Sequence, residues 1–150
     1  MIRIGKLTDY AMLILSQMAR KSEMVLSAAS LADVLHLPTP TVSKVLKILS
    51  DGGLVSSVRG ADGGYHLARP AVQITIADII AAMEGELAMT ECCEKSGLCA
   101  IDTLCTMRAN WRKINNIIHS LLGKLTIIDM LEPISAAKAG QVLQGCNNGK

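Results

Sequence analysis

Phenylalanine is absent from this 150-residue sequence, and all aromatic residues together make up only 2% of it. An all-β sandwich normally takes much of its core from aromatic and β-branched residues. Half of the residues are nevertheless hydrophobic, which is enough for the core of one ordinary domain. Because that core must be built from Leu, Ile, Val, Met and Ala, the composition favours a mostly helical fold.

Long hydrophobic runs are also missing. No segment approaches the roughly 18 apolar residues of a membrane span, and residues 1–6 lack the apolar core of a signal peptide. We therefore expect a cytoplasmic protein with no membrane partner, in a compartment where thiols stay reduced. The five cysteines then need an explanation other than disulfide bonds.

The chain has no strong excess of either charge, with 15 basic and 13 acidic residues. Residues 1–70 hold eight of the basic and five of the acidic residues, whereas residues 71–150 hold seven and eight. A mildly basic N-terminal half suits nucleic acid, but many other domains show the same bias.

Three helices are predicted in the first 53 residues. The first has one apolar face from Leu7 to Met18, with Thr8 or Asp9 as its N-cap. The second starts after Ser27 or Ser30 and stops before Pro38. The third has Thr39 as its N-cap and an inward stripe of Val42, Val45, Leu46 and Leu49. Two short helices around a tight turn, the second with a small, polar and basic outer face, indicate a helix-turn-helix.

A hairpin is predicted directly after the third helix. Residues 54–58 fit a strand, residues 59–64 are dense in turn formers, and residues 65–67 fit a returning strand. In this position the hairpin is typical of a wing, so residues 1–85 are predicted to be a winged helix-turn-helix region. Three helices and a hairpin without any role in DNA binding remain the alternative.

A narrow apolar seam follows in residues 103–132, which we predict to be a dimerisation helix and a short C-terminal helix. Its members are separated by alternating gaps of three and four residues: Leu104, Met107, Trp111, Ile114, Ile118, Leu121 and Leu125. This heptad pattern indicates packing against a second chain, hence a homodimer. A core helix within one chain is the alternative. Residues 133–150 have little to bury and are predicted to be disordered.

The cysteine-rich loop at residues 86–106 holds four of the five cysteines. Cys92, Cys93, Cys99 and Cys105 fall within 14 residues, with C-x5-C-x5-C spacing from Cys93. This spacing suits neither a zinc knuckle nor a thioredoxin-type C-x-x-C, and it suits a loop that wraps an iron–sulfur cluster. Zinc and simple packing are the alternatives. Without a C-x-x-C or a histidine in the loop, we expect no thiol enzyme and no small-molecule substrate.

Several stretches resemble the Rrf2 family of winged-helix iron–sulfur transcription regulators, which has IscR-like and NsrR-like members. They are LTDYA at 7–11, PTVSKVLK at 40–47, GLV at 53–55 and RGADGGY at 59–65. MEG at 83–85, AMTEC at 88–92 and RANWRKIN at 108–115 look like the branch that regulates the SUF cluster-assembly genes. The resemblance covers about residues 3–132.

The resemblance implies a homodimer that binds a double-stranded DNA operator with a recognition helix in the major groove and a wing at the minor groove. Lys44, Lys47 and Arg59 would neutralise phosphates, and Thr41 and Ser43 would meet base edges. The full set of candidate DNA contacts is Thr39, Thr41, Ser43, Lys44, Lys47, Arg59, Gly60, Gly63 and Tyr65.

The resemblance also implies a 2Fe–2S or 4Fe–4S cluster on Cys99, Cys105 and either Cys92 or Cys93. IscR-like members take a fourth ligand from a histidine at the position that is Arg108 here, and arginine does not ligate. The candidates are then Asp9 from the partner chain, as in NsrR-like members, or the spare cysteine. Because consecutive side chains diverge, we favour Asp9. The implied function is a regulator, as a repressor, of SUF genes; a nitric-oxide or redox sensor, or a zinc-binding regulator, is the alternative.

Overall fold

The computed structural model describes residues 3–95, 97–101 and 103–147 and is mostly helical, as predicted. One two-stranded sheet lies among the described residues. The elements are α1 (Lys6–Arg20), α2 (Ala28–Leu35), α3 (Thr39–Asp51), β1 (Val55–Val58), β2 (Gly64–Leu67), α4 (Ile76–Glu84), α5 (Glu91–Glu94), α6 (Arg108–Lys124) and α7 (Ala136–Asn147), with 3-10 turns at Ala71–Gln73 and Ile128–Met130.

The core lies among α1, α2, α3 and α4. Each helix buries one apolar stripe, and the predicted stripe of α3 is confirmed because all four of its residues are fully buried. The matching residues of α1 are Ala11, Ile14, Leu15 and Met18. The opposite face of α3 is left free of the core, which is the arrangement a recognition helix needs.

Two of the predicted helix starts are wrong. Helix α1 begins at Lys6 after Gly5, so Thr8 and Asp9 lie inside its first turn and do not cap it. Instead, the carboxylate of Glu84 accepts hydrogen bonds from the Gly5 amide at 2.6 Å and from the Thr8 hydroxyl. A cap supplied from 79 residues away leaves no local signal in the sequence.

The start of α3 differs by one residue. Pro38 is the N-cap, so Thr39 is the first helical residue and Pro40 the second. A proline in the first turn still costs no hydrogen bond, because the first amides of a helix have no intrahelical partner. Helix α2, which is predicted to start after Ser27 or Ser30, starts after Ser27, whose hydroxyl accepts a hydrogen bond from the amide of Ser30 at 3.0 Å.

The predicted hairpin is present as β1 and β2, an antiparallel pair in which Val55 faces Leu67 and Val58 faces Gly64. Leu26, just before α2, adds a short bridge on the other side of β2 through two backbone hydrogen bonds with Tyr65. The chain turns out of α3 through Gly53, whose φ of 69° is the left-handed conformation that glycine tolerates best. The hairpin is therefore fixed to the helical core at its base.

Helix α4 connects the winged region to the cysteine loop. Its predicted start is confirmed: Thr75 and Asp78 form a reciprocal capping box. The predicted end is also confirmed, at Gly85. Ile74 and Ile127, whose burial the sequence pattern does not predict, are fully buried, and the amide of Ile127 donates to the carbonyl of Ile74 at 2.9 Å. This bridge joins the chain beyond α6 to the winged region.

The predicted seam helix is shorter than expected. Leu104 and Met107 precede α6, and Leu125 follows it. Residues 103–107 form turns, so the heptad pattern there does not reflect helix. No described helix is long and apolar enough to cross a membrane.

The disorder predicted for residues 133–150 is wrong for Ala136–Asn147, which form α7. The Ser135 hydroxyl accepts from the amide of Lys138 at 3.2 Å, Val142 is buried, and Lys138 pairs with Asp129 at 3.1 Å. These contacts with preceding elements stabilise a segment whose own composition favours little structure. Residues 148–150 lie outside the described residues.

Candidate functional site

The outer face of α3 is polar and basic. Thr39, Ser43, Lys44 and Lys47 are exposed, and Thr41 is half-buried. These residues alternate with the buried stripe at helical spacing, so the core holds one face of α3 while the other stays open. Among the described salt bridges, none involves Lys44 or Lys47. Both ammonium groups are thus available to neutralise phosphates.

The wing places a third cation, Arg59, beyond the two lysines of α3. Arg59 and Gly60 are exposed in the turn between β1 and β2, and Gly60 has a φ of 123°. Gly63 is needed for a steric reason, because a Cβ there would lie 2.5 Å from the carbonyl oxygen of Val58. The turn therefore exposes backbone together with the side chains of Arg59 and Asp62.

Two wing residues carry a structural role. Tyr65 is half-buried against the core and pairs with Leu26 through its backbone. Gly64, which the sequence predicts only as part of the turn, admits no side chain because a Cβ would lie 2.6 Å from the carbonyl oxygen of Leu26. Its only signal in the sequence is that it is the second of two adjacent glycines.

The cysteine loop contains a short helix, α5, with the first two cysteines in its first turn. Cys92 is buried, whereas Cys93, Cys99 and Cys105 are partly exposed, and all four are free thiols. The Thr90 hydroxyl lies 3.2 Å from the sulfur of Cys92 and 3.2 Å from that of Cys93. The structure thus brings the adjacent pair to one point, contrary to the divergence expected of neighbours.

The remaining predicted ligands are not assembled with this pair. Among the described residues, no three His, Cys, Asp or Glu side chains are grouped so that they could hold a metal ion. Asp9 is exposed on α1 and lines a cavity with Arg3, Lys6 and Met130. The donor chemistry, four free thiols in one short segment, fits an iron–sulfur cluster, while the converged ligand set is not formed.

Helix α6 holds the start of the cysteine loop by two hydrogen bonds. The guanidinium Nε of Arg112 donates to the carbonyl of Cys92 at 3.2 Å, and Asn115 Oδ1 accepts from the amide of Met89 at 3.0 Å. Residues 108–115 carried part of the family resemblance, but the sequence pattern predicts no role for these two side chains. Any movement of the loop start is therefore coupled to α6.

An apolar strip of α6 is uncovered in the single chain. No residue of this helix is fully buried. Trp111, Ile114 and Ile117 are 38%, 41% and 51% exposed, while Leu122 and Leu125 beyond them pack on the core. A contiguous exposed apolar strip on a helix of 17 residues is typical of a protein interface.

Helix α3 buries one apolar stripe and exposes its basic face, and a wing follows it. This arrangement defines the chain as a winged-helix DNA-binding transcription regulator, and the comparisons with known proteins agree. The chain belongs to the Rrf2 family, since the family model described as an iron-dependent transcriptional regulator matches residues 4–133. Several relatives are named as HTH-type transcriptional regulators, and the chain is a regulator rather than an enzyme.

Three similar proteins illustrate the family. Protein aau3 of Rhizobium meliloti is 33% identical over 132 residues, which cover 87% of this chain and 86% of that protein. CymR, the global cysteine regulator of B. subtilis, has a structure with a TM-score of 0.68 and 28% identity, covering 87% of this chain and 97% of CymR. IscR of T. potens has a TM-score of 0.65 and 28% identity, covering 91% of each chain.

Proposed function

We propose that this chain represses transcription as a homodimer that binds operator DNA and responds to the state of a bound iron–sulfur cluster. The observation that carries the DNA-binding part is the open, basic face of α3 opposite a fully buried stripe. In this proposal α3 enters the major groove and the wing lies at the adjacent minor groove.

The DNA contacts are divided by chemistry. Lys44, Lys47 and Arg59 neutralise phosphates and supply the salt-dependent part of the affinity. Thr41 and Ser43 contact base edges, since they occupy the exposed or half-exposed side of α3. The glycines of the wing turn allow its backbone to approach the DNA closely.

The homodimer forms through α6. Its uncovered strip around Ile114 supports this proposal, because burying such a strip against a second copy removes apolar surface from water on both chains. Two-fold symmetry would place the two recognition helices on half-sites about one DNA turn apart.

The signal is received in the cysteine loop. Cys99, Cys105 and the Cys92–Cys93 pair supply the thiolate ligands, with Asp9 of the partner subunit as the other candidate donor. A bound cluster supplies redox and nitric-oxide reactivity and is itself the quantity being sensed. The loop lies between α4 and α6 and is hydrogen-bonded to α6. This position supports a coupling between ligand binding and the spacing of the recognition helices.

The genes under control are those of the SUF cluster-assembly system, on the strength of the sequence resemblance at residues 83–92 and 108–115. A nitric-oxide or redox sensor of the same fold is the second candidate. It is favoured by one observation: the solved structures similar to this chain include CymR of Staphylococcus aureus in an oxidized form, at 25% identity and a TM-score of 0.64.

Anaerobic purification tests the proposal. We expect a brown protein with sulfide-to-iron absorption near 400 nm, roughly equal amounts of iron and acid-labile sulfide, and retention on immobilised duplex DNA. The matched variants Cys99→Ser and Cys105→Ser should lose the absorption and keep the helical circular dichroism. A colourless protein that contains zinc would contradict the proposed iron–sulfur cluster. A protein that holds a cluster but binds no duplex would contradict the DNA-binding part of the proposal and would indicate a cluster carrier.

A further inference from the structure

Thr90 occupies the N-cap position of α5, but its side chain does not cap the helix. An N-cap hydroxyl ordinarily accepts a hydrogen bond from the amide of the second or third helical residue. Here those two residues are Cys92 and Cys93, and the hydroxyl contacts their sulfur atoms instead, each at 3.2 Å. The Thr90 hydroxyl therefore contacts two thiols in place of the backbone amide that an N-cap hydroxyl usually binds.

A donor and an acceptor can be assigned in each of the two contacts of this hydroxyl. A threonine hydroxyl has one proton, and Thr90 donates it to the sulfur of Cys93. The thiol of Cys92 can then donate to the Thr90 oxygen, since either atom of that pair can be the donor. The two sulfurs are consequently at most twice 3.2 Å apart. Two sulfurs on one tetrahedral soft centre lie about 3.8 Å apart for bonds of about 2.3 Å, so the two sulfurs need to approach each other by at most about 2.6 Å to chelate one centre.

Both cysteines also face one cavity. This cavity, of about 250 Å³, is lined by Cys92 and Cys93 together with Glu94, Lys95, Arg112, Asn115 and Asn116. Its two cations outnumber its one carboxylate and so offset part of the negative charge of a thiolate complex, and the amides can donate hydrogen bonds to sulfur. Arg112 also holds the carbonyl of Cys92 at 3.2 Å, so the pair is fixed to α6 on the side that faces the cavity.

We infer that Cys92 and Cys93 act as one two-sulfur donor unit, opening on the Arg112 cavity and positioned by the hydroxyl of Thr90. Their use as cluster ligands rests on the proposed function; their action as a chelating pair does not. With this unit, Cys99 and Cys105 complete four sulfur donors within one chain. Asp9 is then not a ligand.

Phenylarsine oxide tests the pair in the metal-free chain. It binds two thiols at once: two arsenic–sulfur bonds form, the arsenic–oxygen bond breaks, and the oxygen leaves as water with both thiol protons. No oxidation state changes. A background with Cys99→Ser, Cys105→Ser and Cys146→Ser leaves only the pair. We expect one arsenical per chain in the intact mass, retained against excess 2-mercaptoethanol.

Adding Cys92→Ser or Cys93→Ser to this background should abolish retention, because a single thiol cannot chelate. Thr90→Val should weaken retention about tenfold or more, as loss of a partner in the outer shell of a metal site does, whereas Thr90→Ser should restore it. Retention by the pair no better than by either single cysteine would overturn the inference. So would equal retention in Thr90→Val and the background.

The full chain with a reconstituted cluster separates this inference from the proposed function. Cluster loss, followed anaerobically near 400 nm, should accelerate in both Cys92→Ser and Cys93→Ser and stay unchanged in Asp9→Ala. Acceleration in only one cysteine variant, together with acceleration in Asp9→Ala, would refute the four-sulfur assignment while leaving the proposed function intact. A wild-type chain that takes up no cluster, yet retains the arsenical on the pair, would refute the proposed function alone.

Discussion

Replacing Lys44, Lys47 or Arg59 with alanine should reduce the salt dependence of DNA binding by a calculable amount. Each phosphate contact contributes about 0.9 to the slope of log affinity against log salt on B-DNA. In the proposed homodimer each substitution removes two contacts, so the slope should become shallower by about 1.8. Between about 50 and 200 mM salt, the affinity deficit of the variant should therefore shrink about 12-fold.

Fluorescence anisotropy on a labelled duplex, at four or more salt concentrations, measures this slope. Lys113→Ala is the matched control, because it removes the same charge from an exposed position of α6 away from the winged region. Random and operator duplexes should show the same change, since phosphates carry no sequence information. Unchanged affinity and slope in all three variants would refute the assigned docking face.

Three further predictions concern assembly, the wing and the C-terminal segment. Ile114→Asp with Ile118→Asp should give monomers by sedimentation, because a charge buried at an interface costs several kcal/mol; a wild-type monomer at micromolar concentration would contradict this. Gly64→Ala should lower the free energy of unfolding by about 1–3 kcal/mol through its clash with backbone, whereas Gly123→Ala, with open space around it, should not lower it.

Burial raises the pKa of Asp129, but hydrogen bonds from the Thr126 backbone and the Lys138 side chain outweigh it, so that the pKa lies below its ordinary value. A carboxyl with a lowered folded pKa contributes stability above its unfolded value of about 3.9, which is lost as the pH falls through the folded pKa. The unfolding free energy of wild type relative to Asp129→Asn should therefore be larger at pH 7 than at pH 3; an equal difference at both would contradict it.

The parts of the fold that the sequence predicts are those set by local periodicity and local caps. The stripe of α3 repeats at helical spacing, and the Thr75–Asp78 box lies within four residues, so both were visible. The wing followed from its glycines. By contrast, Glu84 caps α1 from 79 residues away, and α7 is stabilised by Asp129 and by packing on α6. Such tertiary partners have no signature in a single sequence.

The candidate site, like the fold, has features that the sequence predicts and features that it does not. Exposure of Lys44 and Lys47 follows from their positions between buried residues of one helix. The meeting of Cys92 and Cys93 at Thr90 does not, because the general rule that neighbouring side chains diverge describes their Cα–Cβ directions and leaves the rotamers free. The heptad rule failed at Leu104 and Met107 since spacing alone cannot show where a helix begins.

The proposed function requires the DNA affinity of this regulator to depend on a cluster in its cysteine loop. A duplex is first enriched from genomic fragments by the wild-type protein in its cluster-loaded and cluster-free states. The DNA affinities of cluster-loaded protein, cluster-free protein and Cys99→Ser are then compared on this one duplex. Binding is measured anaerobically at a single salt concentration, since affinities at different salt are not comparable. We expect the loaded and cluster-free forms to differ at least about tenfold in dissociation constant, as a coupling of about 1.4 kcal/mol requires, and Cys99→Ser to match the cluster-free form. Equal affinity of all three proteins would contradict the claim.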